Sequence, residues 1–258
     1  MSGKQSVRIG TAGWNIPRDS VANAGGEGSH LVRYSRMFRC VEINSSFYRP
    51  HKLSTWERWR DSVVVDFQFS VKAPRAITHD ARLRCEPKVL LSFLDQVAEL
   101  REKLGPILIQ LPPSLEFECD IARSFFTLLR LEFSGDVVCE PRHRSWFADA
   151  ANDLLKEYRV GRVAADPAIV PLASHPGGAS EVVYFRLHGS PRLYYSEYDE
   201  QYLAALAAEL ADHADRSKTW CVFDNTASGA ALTDALLLQD SVWPAIALRG
   251  AFAERRAE

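Results

Sequence analysis

The 258-residue sequence lacks the features that mark several large classes of protein. Its five cysteines form no CxxC pair and their number is odd, so a disulfide framework is not indicated. Cysteines within apolar runs behave as small buried hydrophobes, and we expect a reducing, cytoplasmic location. No uncharged run is long enough to cross a bilayer, and residues 1–6 hold no apolar stretch, so we expect neither a signal peptide nor a membrane partner.

A strong charge of either sign is also lacking. Lys+Arg number 31 and Asp+Glu 33, for a formal net charge of −2, so no global positive charge draws the protein to nucleic acid. There is no GxSxG nucleophile elbow, no HExxH or HxH spacing and no GxGxxG fingerprint. These absences remove the simplest sequence arguments for a serine hydrolase, a zinc enzyme or a dinucleotide-binding protein.

What the sequence does contain is a series of short apolar runs with polar tips. Each run ends in a charged or amide residue, and the tips include Glu42, Asn44, Lys72, Gln110, Glu140, Asp166, His188, Asp224 and Asn225. An apolar strand with a polar end is typical of parallel β/α proteins, whose sites lie at the carboxyl ends of the strands.

The runs predict eight strands, and helical patterns separate most of them. The strands are predicted at 7–11, 40–44, 67–72, 107–111, 137–140, 162–166, 182–188 and 219–225. Eight βα units close into a barrel, so we predict one α/β domain over residues 1–258, a (β/α)8 TIM-like barrel with a C-terminal tail at about 241–258. Residues 168–180 hold two prolines and two glycines and predict a loop, which makes the sixth unit irregular. Segments 15–28 and 75–86 predict long loops over the C-terminal face that act as lids.

Strand alternation assigns most polar tips to the inside of this barrel. Glu42 shares a face with Asn44, and Arg186 shares one with His188, because residues two apart point the same way. The neighbouring positions, such as Val41, Ile43 and Phe69, are then apolar and face the helices. By the same alternation Lys72, Gln110, Glu140, Arg142, Asp166 and Asp224 are predicted to point inward, with Asn225 and His143 at the rim.

The predicted interior mixes acids with cations, and this mixture favours an anion site. Lys72, Arg142 and Arg186 would repel a metal ion but bind carboxylate or phosphate, so we predict no cofactor and keep a divalent metal as the less favoured alternative. Glu42, Glu140, Lys72 and His188 are the predicted catalytic residues, and Lys72 would carry a proton or act as an amine nucleophile if burial beside an arginine lowers its pKa. A purely structural ion-pair network is the competing interpretation. The predicted substrate-binding residues are Asn44, Gln110, Arg142, His143, Trp146, Asp166, Arg186, Tyr194, Asp224 and Asn225.

Several motifs at these residues resemble a known family. They are Val-Arg-Ile-Gly-Thr-Ala-Gly-Trp at 7–14, Val-Glu-Ile-Asn-Ser-Ser-Phe-Tyr at 41–48, and the segments 71–74, 110–114, 140–146 and 186–189. Together and in this order they resemble the domain of unknown function 72, or YecE-like, family. The resemblance implies a TIM-like barrel similar in outline to the endonuclease IV and xylose isomerase group, and it implies no activity. The chain departs from the family pattern with Asp224–Asn225 in place of paired asparagines and with Ala230 where a histidine is common.

Three functional hypotheses remain open from the sequence. The first is an enzyme that acts on an anionic small molecule by acid–base chemistry, as a lyase, isomerase or hydrolase. The second is a barrel that binds or cleaves nucleic acid, with phosphate contacts from Arg75, Arg82, Arg84, Arg142 and Arg192 and with stacking by Trp146, Tyr194 and Tyr195. The third is a ligand sensor without catalysis. Nothing in the sequence predicts the oligomeric state.

Overall fold

The computed structural model describes residues 7–17 and 26–257. The strands are β1 (Arg8–Thr11), β2 (Cys40–Ile43), β3 (Gln68–Lys72), β4 (Leu104–Gln110), β5 (Val137–Glu140), β6 (Val160–Arg162), β7 (Ala164–Asp166), β8 (Gly177–Gly178), β9 (Val182–Leu187) and β10 (Lys218–Phe223). The α-helices are α1 (His30–Met37), α2 (Ser45–Tyr48), α3 (Leu53–Ser62), α4 (Pro87–Ala98), α5 (Cys119–Glu132), α6 (Asp149–Glu157), α7 (Glu200–His213) and α8 (Ala230–Ala257). Seven of the eight predicted strands are present as single strands, with shifts of a few residues at their ends.

Local sequence accounts for several helix starts. Ser29 caps α1, and the Asp199 carboxylate caps α7 by accepting a hydrogen bond of 2.7 Å from the backbone N–H of Tyr202. Pro87 occupies the first turn of α4, where its missing N–H has no helical partner to lose. These caps set the directions in which the helices leave the strands.

The strands form two sheets in an α/β fold. The first has the order β1-β10-β9-β7 and is parallel throughout. The second has the order β2-β3-β4-β5-β6-β8 and is mixed, because β8 runs antiparallel to β6. The carboxyl ends of the parallel strands therefore lie at one edge of each sheet.

Two separate apolar clusters confirm the predicted alternation along the strands. The larger cluster packs Val41, Ile43 and Phe69 with the helices. The smaller cluster contains Cys40, Leu108, Val138, Val163, Val182, Tyr184, Trp220 and Val222, which come from both sheets. Cys40 lies two residues before Glu42, and Val138 lies two before Glu140. One face of both sheets is thus apolar near the strand starts and charged near the carboxyl ends.

The sixth β/α unit is irregular, in agreement with the sequence, but not in every detail. The predicted strand 162–166 is divided at Val163 into β6 and β7, which belong to different sheets. The predicted loop 168–180 contains a short 3₁₀ helix, Pro171–Ser174, and β8. Helix α8 continues through the residues predicted as a tail.

Of the two segments predicted as lids, 15–28 and 75–86, the structure describes only the second in full. Residues 18–25 of the first lie outside the described part of the chain. The second, 75–86, contains a helical turn at Ala76–Asp80 whose Ile77 and Thr78 are buried. Arg82 in this segment donates to the Ser114 hydroxyl and carbonyl, at 3.0 and 2.7 Å. The segment is therefore tied to the loop after β4.

Candidate active site

Arg186 of β9 is the centre of a fully buried ion cluster. Its guanidinium lies 2.8 Å from the Glu42 carboxylate, 3.2 Å from the Glu140 carboxylate and 2.9 Å from the Asp224 carboxylate. The Arg186 side chain is 0% exposed. Arg186 was predicted to bind an anion, but three carboxylates already surround it, so its role is to hold these acids in place.

A second layer of hydrogen bonds connects Glu140, Arg142 and His188. Arg142 Nη2 lies 2.8 Å from Glu140 Oε1 and 2.6 Å from His188 Nε2. On its other side the imidazole contacts Asp224, with Nδ1 3.0 Å from Oδ2. Nε2 also lies 2.9 Å from Glu140 Oε1, so each ring nitrogen of His188 faces a carboxylate and Nε2 faces the Arg142 guanidinium as well.

The cations of this cluster keep Glu140 and Asp224 ionised. Burial raises the pKa of the Glu140 carboxyl, but the charges of Arg142 and Arg186 outweigh it. The pKa of Glu140 therefore lies well below its usual range. Burial also opposes ionisation of Asp224, and Arg186 together with the hydrogen bond from His188 lowers that pKa. Both groups therefore serve as electrostatic anchors rather than as acids.

Tyr184 and Ser70 complete the cluster next to Glu42. The alternation of β3 placed Ser70 on the inward face without giving it a role in the site, and Tyr184 was not predicted. The Tyr184 hydroxyl lies 2.9 Å from Glu42 Oε2 and 3.0 Å from Ser70 Oγ. Ser70 is the register partner of Glu42 on the neighbouring strand. The signal for Tyr184 was available, because it precedes Arg186 by two residues and therefore shares its face.

Lys72, the last residue of β3, is the cation of the site without a carboxylate partner. Its side chain makes no hydrogen bond or ion pair with the described residues, and Nζ lies 4.4 Å from the centre of the Phe47 ring. Burial, and next the charge of Arg186, lowers the pKa of Lys72 to about 8. This is the direction that the sequence predicted for a lysine buried beside an arginine. The residue is 9% exposed and is therefore nearly buried.

Asn44, Gln110 and Tyr194 lie around the cluster as the sequence predicted. Asn44 Nδ2 donates to Asp224 at 3.3 Å, and Gln110 Nε2 donates to Glu140 at 3.1 Å. The Tyr194 ring packs edge-on against the His188 ring, with centroids 5.8 Å apart. Asn44 Oδ1 is buried without a partner among the described residues, and Asn44 lines a cavity of about 350 Å³ together with Trp14 and His30.

Asp166 and Asn225 lie outside the ion cluster. The Asp166 carboxylate accepts a hydrogen bond of 2.8 Å from the Tyr198 hydroxyl. Asn225 was predicted at the rim but is fully buried, and its amide donates to the Ser196 carbonyl at 2.8 Å and to Asp234 at 2.7 Å. The side chain of its immediate neighbour Asp224 points into the cluster, so these two adjacent side chains point in opposite directions.

Gly189 allows the turn that follows His188. Its φ of +89° lies in the left-handed region, and a Cβ at this position would lie 2.8 Å from the Ser196 carbonyl. Its backbone N–H donates to the Tyr198 hydroxyl at 2.8 Å. The backbone at Gly189 therefore packs closely against the loop that carries Ser196 and Tyr198. This contact holds Tyr198 next to Asp166.

Asp234 of α8 is a buried acid that the sequence did not single out. Burial raises its pKa to about 6. An acid whose pKa is raised on folding contributes stability that is present below its unfolded pKa near 4 and is lost as the pH rises through 6.

Asp234→Asn should therefore match the wild type near pH 4.5 and exceed it by about 1–2 kcal/mol in unfolding free energy at pH 8. Urea unfolding at both pH values measures this, with the exposed Asp153→Asn as the control. Equal stability differences at the two pH values would contradict the assignment.

His143 and Trp146 do not reach the cluster. His143 Nδ1 lies 2.8 Å from the Ser145 hydroxyl. Trp146 is buried in the core, packs against Phe117 and donates from its indole to the Leu115 carbonyl at 3.0 Å. Trp146 was predicted to bind substrate, but it is a core residue whose one polar atom is already satisfied inside the protein.

The arginines of the nucleic-acid hypothesis are largely committed to other partners. Arg75 pairs with Asp80 at 3.0 Å, and Arg84 pairs with Glu118 at 3.2 Å. The Arg192 guanidinium stacks over the Tyr195 ring at 3.9 Å. This surface therefore presents no unbroken patch of uncompensated positive charge from these residues.

The described residues contain neither a metal-binding group nor a membrane-spanning helix. No group of three or more His, Cys, Asp or Glu side chains is arranged to hold a metal ion. At the ion cluster the reason is visible, because Arg186 and Arg142 occupy the positions between the carboxylates. No helix in the described ranges is long and apolar enough to cross a membrane.

Comparisons with solved structures agree on the fold. A DUF72 family protein of Enterococcus faecalis V583 superimposes with a TM-score of 0.78 at 20% identity, and 92% of this chain and 95% of that chain are covered. A DUF72 family protein of Thermotoga maritima MSB8 gives a TM-score of 0.74 at 23% identity, with 91% and 98% covered.

Sequence comparisons identify the same family. UPF0759 protein YecE of Escherichia coli K12 is 33% identical over 142 residues, which are 53% of this chain and 52% of YecE. UPF0759 protein YunF of Bacillus subtilis 168 is 27% identical over 150 residues, or 55% of this chain and 52% of YunF. The aligned part spans about half the length of these curated relatives. The model of the family described as "Protein of unknown function DUF72" matches residues 8–252, and the chain therefore belongs to the DUF72 family.

Proposed function

We propose that this protein is an enzyme that acts on an anionic small molecule, carrying carboxylate or phosphate, by acid–base chemistry at the carboxyl ends of its strands. The observation that carries the proposal is Lys72, a nearly buried amine without a carboxylate partner beside a cluster of otherwise paired charges. A lysine whose pKa is lowered to about 8 exchanges a proton readily near neutral pH or acts as a nucleophile.

The proposal includes a closed barrel, in which the two sheets form one ring of eight strands. Two contacts support closure. Ala12 forms a parallel bridge with Glu42, and the Gly13 N–H donates to the Glu42 carbonyl at 2.8 Å, which joins the end of β1 to β2. Val163 alone separates β6 from β7, and its N–H donates to the Cys139 carbonyl at 2.9 Å. The ring would run β1 to β5, then β6 with β7, β9, β10 and back to β1.

Arg142 is the second cation available to a ligand. Only its Nη2 contacts Glu140 and His188, so within the described residues Nε and Nη1 keep their hydrogens free. Its side chain is 14% exposed, whereas Arg186 is fully enclosed. An anion would bind Arg142 and Lys72, and the free carbonyl oxygen of Asn44 would accept from a hydroxyl or amine of the same ligand.

The acids and His188 have distinct roles in this proposal. Glu140 and Asp224 stay ionised and fix the orientation of the His188 imidazole, because each carboxylate contacts one of its ring nitrogens. Glu42 neutralises Arg186 at the base of the site. Lys72 then carries the proton, or forms the covalent bond, at the open side.

A thermal-shift screen tests the proposal with inorganic phosphate, phosphoenolpyruvate, 2-oxoglutarate and citrate as probes and glycerol as the neutral comparison. At about ten times its dissociation constant, a bound anion should raise the Tm by about 3–5 °C. Lys72→Met should abolish the shift, and Arg142→Gln should reduce it.

Lys218→Met is the matched control, because Lys218 lies at the opposite end of β10 and pairs with Asp136 at 2.8 Å. It should keep the full anion-induced shift. The proposal fails if no anion stabilises the wild type, or if the Lys72 and Lys218 variants respond alike.

A further inference from the structure

We propose that a second ligand site, for a planar aromatic carboxylate, lies in the groove between α2, α3 and α4. The groove encloses about 520 Å³, which is within the range of small-molecule pockets. Phe47 lines the groove, and the same ring also contacts Lys72 of the ion-cluster region. The site is distinct from the ion cluster and does not depend on the proposed function.

Flat rings form the walls of this groove. Phe47 projects from α2, Trp56 from α3 and Phe93 from α4, and Pro50 and Pro74 add further apolar surface. Phe47 is itself held by edge contacts with Tyr48 at 5.0 Å and His79 at 4.9 Å between ring centroids. Walls built from rings in fixed orientations favour a flat aromatic body over a flexible chain, because stacking then needs little ordering of either partner.

The charge at the groove favours an anionic group on that body. Its ionisable lining residues are Arg49, Arg75 and Lys88, and no acid lines it. Arg75 pairs with Asp80 and Lys88 with Glu86, so these charges are compensated. The exposed guanidinium of Arg49 has no ion pair within the described ranges, and a ligand carboxylate would provide one.

Trp56 supplies an independent reason for an acceptor oxygen in the ligand. The residue is 1% exposed, and its indole Nε1 is buried without a hydrogen-bond partner in the described part of the chain. The neighbouring polar groups are occupied, since Gln96 accepts from the His51 N–H and donates to the Ser92 carbonyl. A buried donor without an acceptor is costly, and a small shift of the indole toward a ligand oxygen in the groove would relieve this cost.

Titration calorimetry with 2-naphthoate tests the site, and 2-naphthylmethanol is the neutral probe of the same shape. The wild type should bind the carboxylate about 10-fold more tightly than the alcohol, and Arg49→Gln should reduce this preference to about 2-fold. Trp56→Phe, which keeps a ring but removes the N–H, should weaken naphthoate by about 3- to 10-fold.

Ser92→Trp should block the groove, because Ser92 is exposed on α4 and lines the cavity. Ser124→Trp, on the exposed side of α5, is its matched control, and thermal unfolding shows whether each variant is folded. Arg142→Gln, at a residue that does not line the groove, should bind naphthoate as the wild type does, which separates this site from the ion cluster. The inference is wrong if naphthoate does not bind, if acid and alcohol bind equally, or if a folded Ser92→Trp variant still binds.

Discussion

Replacing Arg186 with methionine is expected to lower the free energy of unfolding by about 3–5 kcal/mol at pH 7. The change leaves Glu42, Glu140 and Asp224 buried without their shared cation, and the remaining charges reach only part of this set. Loss of one partner from a buried ion cluster is far more destabilising than loss of a surface pair, because the charges left without a partner are poorly solvated. Urea unfolding at pH 7 measures the difference.

The pH dependence of this loss distinguishes an electrostatic cause from a packing defect. In the wild type the lowered pKa values of Glu140 and Asp224 contribute stability above pH 4, which is lost as the pH falls through their folded pKa values. Without Arg186 these acids gain protons at higher pH, so the difference between variant and wild type should shrink toward pH 3. Arg84→Met, which breaks the exposed pair with Glu118, should cost less than about 1 kcal/mol. A loss that stays constant from pH 7 to pH 3 would point to packing instead.

Replacing Lys72 with methionine is expected to raise the free energy of unfolding by about 1–2 kcal/mol at pH 7. Burial, followed by Arg186, lowers the pKa of Lys72 to about 8, so the folded protein holds this proton less tightly than the unfolded chain does. The wild type is therefore penalised below pH 8 and regains stability between about pH 8 and 10.5. The advantage of the variant should be largest at pH 7 and should fade by pH 10.

The same variant should lose the anion-induced thermal shift, which links a gain in stability to a loss of binding. Residues kept in an unfavourable environment are typical of functional sites, where stability is given up for reactivity. Lys218→Met should show neither the gain nor its pH dependence, because the side chain of Lys218 is 57% exposed. A destabilised Lys72→Met protein at pH 7 would contradict the picture of a strained lysine and favour a structural role.

Much of the fold follows from residues that are close in sequence. Cys40, Val41, Glu42 and Ile43 show how four residues already separate two faces, and the structure places Cys40 and Val41 in different apolar clusters. The same alternation predicted that Glu42, Glu140, Arg186 and His188 all point to the inward face. Tyr184 lies on this face too, but an aromatic residue in a strand gives no sequence signal for membership of an ion cluster.

Other positions could not be assigned from sequence because their roles depend on distant partners. Trp146 anchors a loop to the Leu115 carbonyl, and Asn225 connects Ser196 with Asp234. Nothing near these residues in the chain reveals the partner. The division at Val163 is likewise decided by which neighbouring strand each half meets.

By itself the sequence determined the strands, the face on which each polar tip lies and the mixture of acids and cations at the strand ends, because alternation and composition are local properties. The tertiary structure alone decided how those charges pair. It enclosed Arg186 among three carboxylates and left Lys72 on the ring of Phe47. Pairing depends on distances between atoms far apart in the chain, and the loss of solvation that lowers the pKa of Lys72 occurs only once the surrounding elements have packed.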